Sequence, residues 1–271
     1  LCGTSLRNVS VLSSLVNHAL TGNSNVAGDT GWWNSLIGLG RLIDTSKYTV
    51  IAFNIPGNGY DEIEANRIDN YEDFNARDIA RLFGFGLEKI GIDRLYAAIG
   101  GSLGGSIAWE MAVLAPDITE HLIPVATDWK STDWLIANCQ IQEQFLLNSK
   151  NPVHDARMHA MLCYRTPESF NERFQRSKND ELEIFNVESW LLHHGKKLQE
   201  RFQLSAYKLM NQLLKTIDVT KNRSKDFNVL ENIHANIHIV GVDSDLFFTA
   251  EENRQTHKQL AVTNPNVTYN E

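Results

Sequence analysis

Apolar and polar positions along the chain follow two rhythms. Short, mostly apolar runs, Tyr48 to Asn54 (YTVIAFN), Leu95 to Ile99 and His121 to Thr127, are separated by longer stretches in which apolar residues return every three or four positions. A short run without polar alternation predicts a strand buried on both faces, and the longer period predicts an amphipathic helix. Between the first two runs, Ile79, Leu82, Phe83, Leu87 and Ile90 recur at helical spacing, with Asp73 as the expected N-cap and Gly91 as the expected stop. After Ile99 the chain turns through glycines into a second helix, whose inner face is predicted to be Ile107, Ala108, Met111 and Leu114 and which Pro116 ends. This alternation predicts the α/β class, a mostly parallel sheet flanked by helices.

From about Trp129 to Asp226 the texture becomes polar and helical, with no convincing strand. Strand character returns at Ile237 to Val242 and at Asn266 to Tyr269, with a helix starting near Thr249 between them. The expected organisation is one core formed by residues 1–128 and 227–271, with 129–226 inserted as a helical cap. A chain of 271 residues is long enough to bury one sizeable core, and it carries no internal repeat or low-complexity tract.

Charge and cysteine content narrow the partners. The formal net charge is -8 and no Lys/Arg block stands out, so neither nucleic acid nor an anionic membrane is an expected partner. The three cysteines, Cys2, Cys139 and Cys163, are too scattered for a disulfide framework and form no C-x-x-C pair, so no metal is expected and a reducing cytoplasm fits them. No apolar run approaches the length of a membrane span, and the N-terminus lacks the order of a signal peptide. The first residue is Leu and the last, Glu271, directly follows a predicted strand, so the sequence reads as a piece whose ends are incomplete.

Gly100-Gly101-Ser102-Leu103-Gly104 matches G-x-S-x-G, directly after an apolar strand and directly before an amphipathic helix. That is the context in which the motif holds a serine hydroxyl on a sharp turn above the end of a parallel sheet. The glycines have a steric reason, since the turn needs close strand–helix approach and backbone angles that a Cβ obstructs. The other reading is a glycine-rich turn with a solvated serine. The elbow also places the Leu103 amide at a helix N-terminus, where an unpaired donor and the helix dipole favour a developing oxyanion.

Several longer segments accompany this motif. They are Asn17-His18-Ala19-Leu20-Thr21-Gly22, Gly31-Trp32-Trp33, Leu36-Ile37-Gly38 and Ile43-Asp44-Thr45, then Tyr164-Arg165-Thr166-Pro167-Glu168, Val187-Glu188-Ser189-Trp190, Arg201-Phe202 with Tyr207, and Asp243-Ser244-Asp245-Leu246-Phe247. Together with the serine turn, the chain from about Val16 onward resembles the homoserine O-acetyltransferases, acyltransferases of the α/β-hydrolase fold.

The resemblance implies roles at matching positions. Ser102 is the acyl-accepting nucleophile and Asp245 the triad acid. The backbone N–H groups of Leu20 and Leu103 form the oxyanion hole. Arg201, in the cap, grips the α-carboxylate of the acceptor, with Tyr207 nearby. The implied substrates are acetyl-CoA, which no bound cofactor accompanies, and L-homoserine, and the implied setting is methionine biosynthesis. Assembly as a homodimer through the cap helices is also implied by the resemblance alone. His18 reads as a structural imidazole, and Trp32 and Trp33 as packing residues at the pocket edge. Asp245 and Asp243 each have a plainer reading as turn or capping carboxylates.

Three departures accompany the likeness. Asn54 to Tyr60 replaces a longer glycine-rich loop, and Arg201 to Tyr207 lacks the acidic residue common after the Arg-Phe pair. In the family the base histidine lies in a G-H-D type turn roughly thirty residues beyond the acid, in the chain order Ser, Asp, His. The sequence stops at Asn270-Glu271 before that turn, so the catalytic histidine is expected to be missing from these 271 residues. Other readings stay open: a serine esterase or thioesterase, a homoserine or serine O-succinyltransferase, or a binding protein without activity.

Overall fold

The computed structural model describes residues 12–223 and 227–271. Cys2, the first eleven positions of the expected core and residues 224–226 at the expected end of the cap lie outside them. The chain opens with β1 (Leu12–Asn17), then a two-residue ladder of β2 (Ile37–Gly38) and β3 (Ile43–Asp44), then β4 (Tyr48–Ile51). Helix α1 (Ala76–Lys89), β5 (Leu95–Gly101), α2 (Leu103–Leu114) and β6 (Thr119–Val125) follow. After a long helical segment the sheet resumes with β9 (Asn236–Val240), α8 (Ala250–Leu260) and β10 (Val267–Asn270).

The main sheet is parallel throughout, in the order β10-β9-β6-β5-β1-β4. From β1 the chain first adds β4 on one side, then crosses to place β5, β6, β9 and β10 on the other. The order therefore reverses between β1 and β5, and in an open α/β sheet the crevice beyond the carboxyl ends of such strands is where ligands bind. Register puts Asn17 opposite Gly100 at that point.

The strands end earlier or start sooner than the apolar runs suggested, for local reasons. Tyr48 to Asn54 stays in the sheet only to Ile51, because Asn54 serves a loop, accepting from the Ser24 amide at 2.8 Å and from Asn58 Nδ2 at 3.1 Å. The third run begins at Thr119 and stops at Val125, where Ala126, at φ 45°, turns the chain out of the sheet. Helix α1 is capped by Asn75 rather than Asp73. Asn75 accepts from the Arg77 amide at 3.0 Å, while Asp78 takes the Asn75 amide at 3.1 Å, a reciprocal box. Ile79, Phe83 and Leu87 are buried, but Leu82 and Ile90 are exposed, so the inner face is narrower than expected. Gly91 does stop the helix, at φ +75°.

Between β6 and β9 run α3 (Asp133–Asn148), α4 (Pro152–Cys163), α5 (Pro167–Phe174), α6 (Asn186–Gln199) and α7 (Leu204–Lys215). This segment also holds a short antiparallel ladder, β7 (Lys178–Asn179) with β8 (Ile184–Phe185), where no strand was expected. Two-residue strands carry no readable period. Entry and exit of the segment are joined by the Lys130–Asp218 bridge and by the Val219 amide on the Trp129 carbonyl at 3.2 Å. The exit is latched to the core by Glu110 of α2, only 2% exposed, which pairs with both Arg77 and Arg223. Among the described residues no helix is long and apolar enough to cross a membrane.

Candidate active site

Ser102 sits between β5 and α2 at φ 53°, ψ −127°, a conformation that a side chain with Cβ rarely adopts. Backbone hydrogen bonds hold it there. Its amide donates to the Val125 carbonyl at 3.0 Å, and its carbonyl accepts from the Gly105 amide at 2.9 Å and from Thr127 Oγ1 at 2.6 Å. The flanking glycines are needed by contact. A Cβ on Gly100 would lie 2.2 Å from the backbone of Gly104, and one on Gly104 would lie 2.3 Å from the Asn17 carbonyl oxygen. Strand β5, helix α2 and the end of β1 thus touch backbone to backbone, which leaves Ser102 at the switch point. A Trp33 ring atom lies 3.7 Å from where a Gly101 Cβ would be, so this ring walls the turn on one side.

The two expected oxyanion donors are Leu103, the first residue of α2, and Leu20, in the turn closed by the Gly22 amide on the Ala19 carbonyl at 2.9 Å. Among the described residues neither amide has a hydrogen-bond acceptor. At a buried helix start that leaves a donor free for a ligand. His18 holds the second loop in place. Its Nδ1–H donates to the Ala19 carbonyl at 2.8 Å, and its Nε2 accepts the Ile55 amide at 3.0 Å, so both ring nitrogens are engaged only in the neutral form. Burial pushes its pKa down to about 4.

A pH dependence follows. A folded-state pKa depressed below the ordinary 6.5 means that the stabilisation by neutral His18 is complete above about pH 6.5 and is lost as pH falls toward 4. Thermal denaturation between pH 7 and pH 4.5 should show a decline of at most about 1.4 kcal/mol per pH unit from this group. The His18→Gln variant should be less stable at neutral pH but fall less steeply with acid. Parallel curves for the two proteins would refute the assignment.

Asp245 lies on the loop after β9, whose end is two strands from that of β5, a span of about 10 Å at ordinary strand spacing. Asp245 Oδ1 accepts from the Phe247 amide at 2.7 Å and the Phe248 amide at 3.1 Å, while Oδ2 has no protein partner among the described residues. The carboxylate is therefore anchored by one oxygen and open at the other. Burial raises its pKa and the two amides oppose that shift. Asp243 is exposed and has no such anchors. The loop is also gripped from above. The Leu246 amide donates to the Cys163 carbonyl at the end of α4, at 2.9 Å, and Trp134 Nε1 of α3 donates to the Leu246 carbonyl at 2.5 Å.

Arg201, between α6 and α7, is accessible to solvent and donates Nη1 to the Thr21 carbonyl at 3.2 Å, one residue beyond Leu20. Its pKa is lowered by desolvation and then by the nearby charge of Arg157. It forms no ion pair among the described residues. Tyr207 is placed differently from a surface contact. It is 2% exposed, packs against Phe202 and gives its hydroxyl proton to Gln142 Oε1 at 3.1 Å, so its oxygen is left as an acceptor. The residues that escaped sequence reading are Trp134, Gln142 and Arg157. They come from helices far apart in the chain, and no local motif marks them.

All nine histidines lie among the described residues, and none hydrogen-bonds Ser102 or Asp245. His121 pairs with His238 across the sheet at 3.1 Å, His234 with Asp117 at 2.9 Å, His154 with Asp155 at 2.8 Å and His159 with Gln142 at 3.0 Å. His194 packs on Trp190 and His193 on His194, and the His257 ring stacks on Tyr269. No group of three His, Cys, Asp or Glu side chains among the described residues converges in a way that could hold a metal.

Residues 15–146 match the family model of the alpha/beta hydrolase fold. The chain is 33% identical over 264 residues to a homoserine O-acetyltransferase of Chloroherpeton thalassium, covering 89% of this chain and 69% of that protein. It is 32% identical to that of Salinibacter ruber, covering 91% and 77%. Among solved structures, homoserine O-acetyltransferase from Staphylococcus aureus superposes with a TM-score of 0.81 at 24% identity, over 97% of this chain and 79% of that one. Esterase E22 superposes with 0.84 at 21%, over 98% and 84%, and these two likenesses speak for the fold alone. With a serine elbow, two free amides and an anchored carboxylate at one sheet edge, and relatives of this identity over most of its length, the chain belongs to the homoserine O-acetyltransferase family, acyltransferases on the α/β-hydrolase fold.

Proposed function

We propose that Ser102 carries an acetyl group from acetyl-CoA to the hydroxyl of L-homoserine, in the service of methionine biosynthesis. The observation that bears most weight is Arg201, whose unpaired guanidinium leans on the loop of the Leu20 amide. A carboxylate clamp bonded one residue from the Leu20 amide suits an amino-acid acceptor and has no use in a simple esterase. In the first half-reaction Ser102 Oγ attacks the thioester carbon and its proton passes to a base. The Leu20 and Leu103 amides hold the oxyanion, the C–S bond breaks and the CoA thiolate takes the proton. In the second, the acceptor hydroxyl attacks acetyl-Ser102 by the same path. Arg201 holds the acceptor's carboxylate, with Tyr207 nearby. The cap keeps water from the acyl-enzyme.

Among the described residues no histidine hydrogen-bonds Ser102, so these 271 residues taken by themselves are expected to show the residual catalysis of oxyanion hole and binding, on the order of 10³–10⁴ over water. Free imidazole should restore part of the missing base. The test is CoA release and O-acetylhomoserine formation from acetyl-CoA, with and without imidazole and L-homoserine. Expected is slow transfer that rises with imidazole and depends on homoserine. CoA release indifferent to homoserine would favour a hydrolase, and high activity without imidazole would show that a base is already present.

A further inference from the structure

Both backbone groups of Ser102 are gripped by one short segment, the stretch that leaves β6. The Ser102 amide donates to the Val125 carbonyl, and its carbonyl oxygen accepts the Thr127 hydroxyl at 2.6 Å, after Ala126 has turned the chain at φ 45°. That oxygen also takes the amides of Gly105 at 2.9 Å and Ser106 at 3.2 Å, which are ordinary first bonds of a helix, so Thr127 is its partner from outside the helix. Thr127 is 2% exposed and Ser106 is fully buried. Their hydroxyl oxygens lie 2.8 Å apart, and Ser106 Oγ stands 2.8 Å from the Asp128 carbonyl oxygen. Glycine at position 105 makes room for this, since a Cβ there would lie 2.4 Å from Thr127 Cγ2 and 2.7 Å from the Gly100 carbonyl oxygen.

Two hydroxyl hydrogens serve three oxygen–oxygen contacts. A carbonyl oxygen only accepts, so the 2.6 Å contact with Ser102 requires the Thr127 hydrogen. Ser106 then shares its hydrogen between Thr127 Oγ1 and the Asp128 carbonyl, at the point where the chain leaves the sheet for the inserted helices. The Ser102 carbonyl is one end of a planar trans peptide whose other end is the Leu103 N–H, pointing the opposite way. Fixing the oxygen therefore fixes the direction of that N–H, and charge drawn toward the hydroxyl makes it a stronger donor. The Leu103 amide has no acceptor among the described residues, so no bond of its own sets its direction.

We propose that Thr127 is a positioning residue for acyl transfer, aiming the Leu103 amide at the oxyanion through the peptide that joins Ser102 to Leu103. This rests on the reading of Ser102 as the nucleophile and Leu103 as an oxyanion donor. Being buried, the Thr127 hydroxyl meets no substrate and acts only through this peptide. The developing negative charge finds a donor already aligned, which lowers the barrier without tightening the binding of acetyl-CoA. Because Ser106 joins Thr127 to the Asp128 carbonyl, the entry of the inserted helices is tied to the same peptide.

The test is the rate at which acetyl-CoA acetylates Ser102 with imidazole present and no acceptor, read by mass spectrometry of quenched samples over a range of acetyl-CoA concentrations. Thr127→Val keeps the shape and removes the hydroxyl. Its limiting rate is expected to fall roughly tenfold to a hundredfold, short of the loss of a whole donor, at an unchanged half-saturating concentration. Thr127→Ser, which keeps the hydroxyl, should recover most of the rate. Thr119→Val is the control, because Thr119 is also 2% exposed and gives its hydroxyl to the His121 carbonyl at 2.8 Å, at the opposite end of β6. It should lose stability and keep the wild-type rate. Melting curves show which variants are folded, and Thr127→Ala takes the place of a valine variant that is not. A wild-type rate in Thr127→Val, an equal loss in Thr119→Val, a loss that Thr127→Ser does not repair, or a change confined to the half-saturating concentration overturns the proposal alone. Wild type that forms no acetyl-Ser102, or an equal adduct in Ser102→Ala, overturns the nucleophile reading and the proposal with it.

Discussion

Replacing Ser102 by glycine is expected to raise the melting temperature while ending acyl transfer. The serine backbone is held at φ 53°, ψ −127° by its amide's hydrogen bond to Val125 and by the three hydrogen bonds its own carbonyl accepts. A residue with Cβ in such a region carries about 1–3 kcal/mol of strain, which glycine does not. Against this, glycine frees the unfolded chain by about 0.5–1 kcal/mol, so the net gain is about 1 kcal/mol. For a domain of this size that is about 2–4 °C. The same change removes Oγ, so no acyl-enzyme forms and the imidazole-dependent transfer disappears. Ser102→Ala separates the two effects, since it removes the hydroxyl and keeps the strain. Calorimetry of both variants, with mass spectrometry after exposure to acetyl-CoA or a fluorophosphonate, reads the outcome. A glycine variant no more stable than the alanine one would show that the turn is not strained, and a covalent adduct on either would place the nucleophile elsewhere.

That trade between stability and chemistry explains what was legible in the amino-acid sequence. The serine elbow was, because sterics demand Gly100 and Gly104 at fixed distances from Ser102. The β5 and α2 elements around it were also legible, since both are buried and so apolar almost without interruption. Asp245 is a harder case. From residues alone it competed with Asp243, and what separates them, two amides on one carboxylate oxygen, arises only when the loop folds. The short β7–β8 ladder and the Asn75 cap were lost for lack of period and for a misplaced boundary, respectively. Arg157 and Trp134 could not be read at all. Their meaning lies in the packing of α3 and α4 against the loop after β9, a tertiary fact with no local trace.

The same backbone contacts make Gly104→Ala the most damaging small substitution expected in the chain. An added methyl would meet the Asn17 carbonyl oxygen at 2.3 Å, the Asn17 carbonyl carbon at 2.7 Å and the His18 carbonyl oxygen at 2.7 Å. These are backbone atoms at the end of a central strand, and Asn17 is itself tied to the Gly104 carbonyl through Nδ2 at 3.2 Å, so rotating a side chain gives no relief. Helix α2 and β1 must separate, in a region where Leu103 and Val16 are fully buried. The expected loss is roughly 3 kcal/mol, or about 6–12 °C in melting temperature. Chemistry suffers beyond this, because the strand end that moves carries His18 and the Leu20 amide. Misplacing one oxyanion donor costs about 10²–10³ in rate, so the imidazole-dependent transfer should fall by that order even below the new melting point. Gly84→Ala is the control. Gly84 lies inside α1 with nothing within 4 Å of an added Cβ, and alanine there should stabilise by about 0.5–1 kcal/mol. Wild-type stability and transfer in Gly104→Ala would mean that β1 and α2 do not touch, and with that the placement of Leu20 beside Ser102 would be wrong.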